Sequence, residues 1–196
     1  MAWAADWRVY LHLPAAHAPS NLDELLGDAL ATGAVGAVEI PLGGLTGQQM
    51  VETVERFRPI VQPAGVPLIL QGTTNRQILG QVDGLRLDDS AELPGARRAL
   101  PANGLIGVTV GDSRDAAMQA GEQKPDFLYL PKDPDFVAWW AELMVIPCVA
   151  PTGDLLADAA DIAALGPDFV ALDAIAWNHP DGPAGAIRAL AGMAAA

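Results

Sequence analysis

The chain has 196 residues, 51% hydrophobic and 18% charged, which fits one folded domain with a sizeable core and excludes a disordered chain. Eleven basic residues against 24 acidic ones leave a net charge of −13, a balance that repels nucleic acid and anionic membrane surfaces as partners. The single cysteine, Cys148, excludes an internal disulfide framework and a multi-cysteine zinc site. The opening MAWAADWRVY lacks the basic and apolar regions of a signal peptide. No run approaches about 18 uninterrupted apolar residues, so no membrane span is expected and the expected compartment is cytoplasmic.

Short apolar runs rich in Val, Ile and Leu recur along the chain: WRVYLHL (7–13), GAVEIPL (36–42), VPLILQ (66–71), GLRL (84–87), LIGVTV (105–110), DFLYL (126–130), VIPCVA (145–150) and DFVALDAI (168–175). They read as buried parallel strands, nearly continuous in apolar character and too short for helices. Helices are predicted between them. The first runs from Asn21 to Thr32, with acids in its first turn and Gly33 beyond its end. The second spans Gly47 to Gln62, where Met50, Val54 and Phe57 share a face. Asp112 or Ser113 opens a third that reaches Ala120, a fourth covers Asp154 to Leu165, and the last starts at Pro183. Ser90 to Ala102 is the weakest unit, interrupted by Pro94 and Gly95.

Eight strands alternating with helices predict an α/β fold, a single (β/α)8 TIM barrel over residues 1–196 at about 24 residues per unit. An open doubly wound sheet is the structural alternative, but no Gly-x-Gly-x-x-Gly follows the first strand. Alternation then predicts which residues face the barrel interior. Tyr10 and His12 point inward on the first strand, Glu39 on the second, Arg86 and Asp88 on and just after the fourth, Thr109 on the fifth and Asp173 on the eighth. Even-numbered strands share layers. Glu39, Arg86 and Asp173 are therefore expected to meet in a buried ionic cluster, because one such charge buried alone costs several kcal/mol. With His12 they form the candidate catalytic set, although such a cluster equally satisfies a barrel interior.

Asp88 and Asp89 follow the fourth strand and could hold a hard divalent cation, or Asp89 could cap the next helix. Trp139-Trp140 is expected to pack a helix on the barrel, and Cys148 to act as a small buried hydrophobe.

Three stretches, RPIVQPAGVPLILQGTTNRQILGQVDGLRLDDS (58–90), GLIGVTVGDSRDAAMQA (104–120) and VIPCVAPTGDLLADAADIAALGPDFVALDAI (145–175), resemble the thiamine phosphate synthase family, which includes the related thiazole tautomerases. The resemblance implies a (β/α)8 barrel and a transferase of thiamine biosynthesis. Such an enzyme joins a hydroxymethylpyrimidine diphosphate to a thiazole phosphate with Mg2+, and by analogy it pairs as a homodimer. It also implies substrate contacts from Arg76, Thr109, Lys132, Thr152 and Gly153, with Asp88 and Asp89 near the metal, and inward-facing Tyr10 is a further substrate-binding candidate.

The chain departs from the family pattern at several of these places. The family's Gln-x-Arg-x-Lys on the second strand becomes Glu39-Ile40-Pro41-Leu42-Gly43, and Gln71-Gly72-Thr73 matches its Asn-Asp-Arg. Its histidine on the fourth strand becomes Arg86, and its serine on the eighth becomes Asp173. Apart from Arg86, the departures remove cations and add carboxylates, which predicts a weakened or diverged activity on another small molecule. Two alternatives accompany that expectation. One is a binding or regulatory barrel that has lost catalysis. The other is a class I aldolase of the keto-deoxy-phosphogluconate type, resembled by GAVEIPL, with Glu39 beside a Schiff-base Lys132.

Overall fold

The computed structural model describes residues 6–14, 19–72 and 76–194. Among them eight strands alternate with helices: β1 (Arg8–His12), α1 (Leu22–Ala31), β2 (Val35–Pro41), α2 (Gly47–Val61), β3 (Leu68–Gln71), α3 (Arg76–Leu79), β4 (Gly84–Leu87), α4 (Leu93–Ala99), β5 (Leu105–Thr109), α5 (Arg114–Glu122), β6 (Phe127–Tyr129), α6 (Pro134–Leu143), β7 (Cys148–Pro151), α7 (Leu156–Ala163), β8 (Phe169–Leu172), α8 (Ala174–Trp177) and α9 (Gly182–Ala194). The strands pair in sequence order, and β8 closes on β1 through Arg8↔Phe169 to Leu11↔Leu172, all parallel. The predicted barrel is the observed one.

Local chemistry sets the helix boundaries. Thr46 and Gln49 form a reciprocal capping box at the start of α2, which satisfies two otherwise orphaned amides. Pro59 lies inside α2, and a 3-10 turn over Gln62–Ala64 carries the chain to Gly65, whose φ of 72° needs a residue without a Cβ. Ser113 caps α5 through the Ala116 amide, and the helix runs past the predicted end at Ala120 to Glu122. Asp154 does not open α7, which begins two residues later, at Leu156. Asp133 caps α6 by accepting from the Asp135 and Phe136 amides, with Pro134 in the first turn. The weak fourth unit is a 3-10 turn, Ser90–Glu92, followed by the seven-residue α4.

Two apolar layers follow from strand alternation. Val9, Leu11, Val38, Leu70, Leu85 and Leu172 pack outward against the helices, together with Trp140 and Cys148. Burial pushes the Cys148 thiol up to about 12, in keeping with an inert core residue. Tyr10, Ala37, Ile69, Phe127, Val149 and Ala171 fill the barrel interior. Gly107 makes room for Phe127, since a methyl group at that position would strike the ring. The interior is therefore packed from its N-terminal end, and the polar groups are confined to the C-terminal half.

Candidate active site

Glu39 sits at the centre of that half with no solvent exposure. Its Oε2 accepts from the Tyr10 hydroxyl at 2.7 Å and from Arg86 Nε at 2.7 Å. Its Oε1 accepts from a second Arg86 nitrogen at 2.8 Å and lies 3.0 Å from His12 Nδ1. The Arg86 contact is the two-pronged guanidinium–carboxylate geometry, the strongest arrangement for such a pair. The last Arg86 nitrogen donates to Thr109 Oγ1 at 2.7 Å, and the guanidinium stacks 4.3 Å from the centre of the Tyr129 ring. Every polar atom of the cluster is satisfied, as burial in a medium of low polarity requires.

Burial by itself would raise the Glu39 carboxyl, but hydrogen bonds from Arg86 and His12 overcome it and bring the group to about 2. Arg86 is disfavoured by desolvation, yet Glu39 holds its charge more firmly than usual. Burial lifts both tyrosines above their ordinary range. Glu39 adds to this at Tyr10; at Tyr129 Arg86 opposes it, while Glu39 and Asp173 reinforce it. Both phenols are therefore hydroxyl donors at neutral pH. Ionised Glu39 only accepts, so His12 Nδ1 carries a proton. In the neutral ring, Nε2 then accepts from the Tyr129 hydroxyl, 3.2 Å away. Trp177 of α8 donates to the His12 carbonyl at 2.7 Å and fixes the end of β1.

Above this network a cavity of about 330 Å³ opens at the C-terminal mouth, lined by His12, Leu13, Pro14, Pro41, Tyr129, Asp173 and Ala174. A larger cavity of about 520 Å³ lies at the opposite end, beside the starts of β3, β4 and β5. It is remote from the charged cluster, and barrel chemistry belongs to the C-terminal mouth.

Comparison with known proteins matches this architecture. A family model described as thiamine monophosphate synthase matches residues 9–174. A thiamine-phosphate synthase of Rhodospirillum centenum is 34% identical, with 93% of this chain and 95% of the relative covered. The chain belongs to the thiamine monophosphate synthase family. A thiamine-phosphate synthase of Hyphomonas neptunium is 30% identical over 84% of the chain and 82% of its own length. The solved thiamine phosphate pyrophosphorylase of Pyrococcus furiosus superposes with a TM-score of 0.78 at 19% identity, covering 97% of this chain and 98% of that one. Orotidine 5'-phosphate decarboxylase of Pyrococcus horikoshii has a TM-score of 0.71 at 15% identity, covering 96% of this chain and 100% of that one; both structures speak for the fold.

Within this family barrel the expected site residues divide. Tyr10, His12, Glu39, Arg86 and Thr109 come together as anticipated. Asp173 does not join them. The apolar run that suggested a strand to Ile175 leaves the sheet after Leu172, and Asp173 begins α8 at the mouth, exposed. Among the described residues it makes no ion pair with Arg86. Lys132 is exposed in the turn after β6, away from Glu39, so the lysine–glutamate pairing of an aldolase does not form. The side chain of Arg76 lies outside the described residues. Thr152 donates to the Ala171 carbonyl at 2.9 Å and ties β7 to β8, while the Asp158 carboxylate crowds the space over Gly153. Tyr129 was not anticipated from sequence, although its position two residues after inward-facing Phe127 marks it by parity.

The two candidate metal carboxylates also differ. Asp89 spends one oxygen on the Ala91 amide at 2.8 Å, the capping role. Asp88 stays 67% exposed, with Oδ1 at 3.4 Å from the Thr109 hydroxyl and 3.9 Å from Arg86. Among the described residues no group of three or more His, Cys, Asp or Glu side chains could enclose a metal. Mg2+ commonly uses one or two carboxylates and completes its shell with water and substrate phosphate, and the exposed Asp88 carboxylate, free of a capping bond, is a donor of that type. No helix of the described residues is long and apolar enough to cross a membrane.

Proposed function

We propose that the chain is a thiamine phosphate synthase, joining a hydroxymethylpyrimidine diphosphate to a thiazole phosphate at the C-terminal mouth and releasing diphosphate. The similarity to the Rhodospirillum centenum synthase along almost its whole length carries this reading. The polar network directly beneath an open cavity supports it. His12 and Tyr129 face the substrate, held in place by Glu39, which Arg86 and Tyr10 fix in turn. Asp88, with Asp89 beside it, would hold Mg2+, which when bound neutralises diphosphate charge. Arg76 and Lys132 are the basic residues for phosphate oxygens, with Thr109, Thr152 and Gly153 at the rim. Two chains pairing as a homodimer fits the same reading by family analogy.

Incubation with both substrates and Mg2+ tests the proposal: thiamine phosphate is the expected product. Its absence under conditions in which the Rhodospirillum centenum enzyme is active would contradict it.

One observation favours a second reading. Among the described residues the one buried cation, Arg86, is neutralised by Glu39 at two points, and the exposed carboxylates of Asp88 and Asp173 stand at the mouth. A barrel so arranged would turn over a less anionic small molecule in place of the synthase substrates. The open cavity weighs against a barrel that has lost all binding.

A further inference from the structure

We propose that the cavity at the N-terminal end of the barrel binds a free α-amino acid with an apolar side chain, as the zwitterion. This site is separate from the mouth and takes no part in the chemistry there. The cavity is about 520 Å³, a size that encloses a small organic ligand. It is bounded by the end of α2 and by the segments that lead into β3, β4 and β5. Val66, Val82 and Leu105 give it an apolar wall, and Arg58 and Asp83 give it one charge of each sign.

Those two charges do not neutralise each other. Among the described residues neither Arg58 nor Asp83 makes an ion pair. Asp83 Oδ2 accepts from the Leu68 amide at 2.9 Å and from Gln62 Nε2 at 3.0 Å, whereas Oδ1 accepts no hydrogen bond among the described residues. The carboxylate is therefore architectural through one oxygen and open through the other. Gln62 Nε2 also donates to the Gln81 carbonyl at 3.2 Å, so both protons of that amide are used and its oxygen is left without a donor. Asp83 and Gln62, tied to each other, thus offer two open acceptors, one of them charged. That pair suits an ammonium group.

Arg58 supplies the opposite pole from an adjacent position. It precedes Gln62 by four residues, and its carbonyl accepts from the Gln62 amide, so the two side chains share one face of the helix. In an α-amino acid the ammonium and the carboxylate stand on one carbon. A cation and a pair of acceptors one helical turn apart match that arrangement, and a guanidinium takes a carboxylate through two parallel donors. Asn103, whose side chain makes no hydrogen bond among the described residues, adds an uncharged donor and acceptor to the same lining. A ligand carrying only one of the two charges leaves either Arg58 or Asp83 without a partner, which is the basis of selectivity for the zwitterion.

Calorimetric titration of the full chain with L-leucine and L-phenylalanine, each beside its decarboxylated amine and its deaminated acid, tests the site. At least one of the amino acids is expected to bind with Kd of about 1 mM or below, and about tenfold more tightly than its own amine or acid. Arg58→Gln is expected to lower that affinity about tenfold, to the level of the amine, without changing Tm, since the side chain is exposed. Arg58→Lys is expected to restore part of it, because the charge returns without the two-pronged geometry. No binding of either amino acid at about 10 mM would overturn the inference. So would equal affinity for the acid, which marks a simple anion site, equal affinity for the amine, or undiminished binding by Arg58→Gln. The titration involves no turnover, so its failure leaves the synthase reading intact, and failure of the synthase assay leaves this site intact.

Discussion

Two sets of aspartates at the two ends of the barrel are used in opposite ways. At the N-terminal end, Asp83, Asp126 and Asp168 precede β4, β6 and β8, and each reaches across to an amide of the strand before. Leu68 donates to Asp83 at 2.9 Å, Ile106 to Asp126 at 2.6 Å and Cys148 to Asp168 at 2.9 Å. At the C-terminal mouth, Asp88 and Asp173 stand exposed, and Asp173 accepts nothing from the helix it begins. The same residue type therefore closes the sheet at one end and sets the electrostatic field of a cavity at the other. Carboxylates whose lone pairs are engaged by backbone amides are part of the architecture; those left open at the mouth are available to a ligand.

Between the two ends lies the Glu39–Arg86 pair, and breaking it has the largest expected effect. Arg86→Ala leaves the Glu39 charge buried and is expected to cost about 3–5 kcal/mol in denaturant unfolding. Glu39→Gln combined with Arg86→His, the residue types of the family pattern, is expected to recover much of that loss, because no uncompensated charge remains.

Acid sharpens the same contrast. The folded Glu39 carboxyl lies at about 2, against an ordinary value of 4.5. Its ion pair therefore adds stability that is complete above about pH 5 and disappears as pH falls from there through 2, on the order of 3 kcal/mol. Unfolding measured across that window should show this slope in the wild-type chain and a shallower one in Glu39→Gln.

The aspartates themselves separate the two ends directly. Asp168→Ala strands the Cys148 amide and is expected to destabilise the chain by about 1–3 kcal/mol. Asp173→Ala, at the mouth, is expected to change thermal stability within the scatter of ordinary surface substitutions. Equal losses at both positions would remove the distinction.

Much of this was legible in sequence. Apolar runs at a regular spacing foretold the barrel, and parity along β1, β2 and β4 placed Tyr10, His12, Glu39 and Arg86 together, since a period of two fixes the face once the strand is known. Asp173 was misplaced because Ala174-Ile175-Ala176-Trp177 is as apolar as the strand before it, and periodicity cannot tell a buried strand from one buried helical turn over so short a run. Asp83, Asp126 and Asp168 read as ordinary turn residues, because their partners lie about 15 to 20 positions upstream and are brought near only by the closed sheet. Tyr129 was overlooked on a strand of three residues, too short for alternation to declare itself.

A mouth whose buried arginine is neutralised and whose open groups include the Asp88 and Asp173 carboxylates should hold a polyanion chiefly through a bridging cation. Calorimetric titration with inorganic diphosphate, with and without Mg2+, measures this most directly. Binding that requires Mg2+ is the predicted result. Tight, metal-independent binding of diphosphate at the mouth, abolished by Arg86→Met, would contradict it.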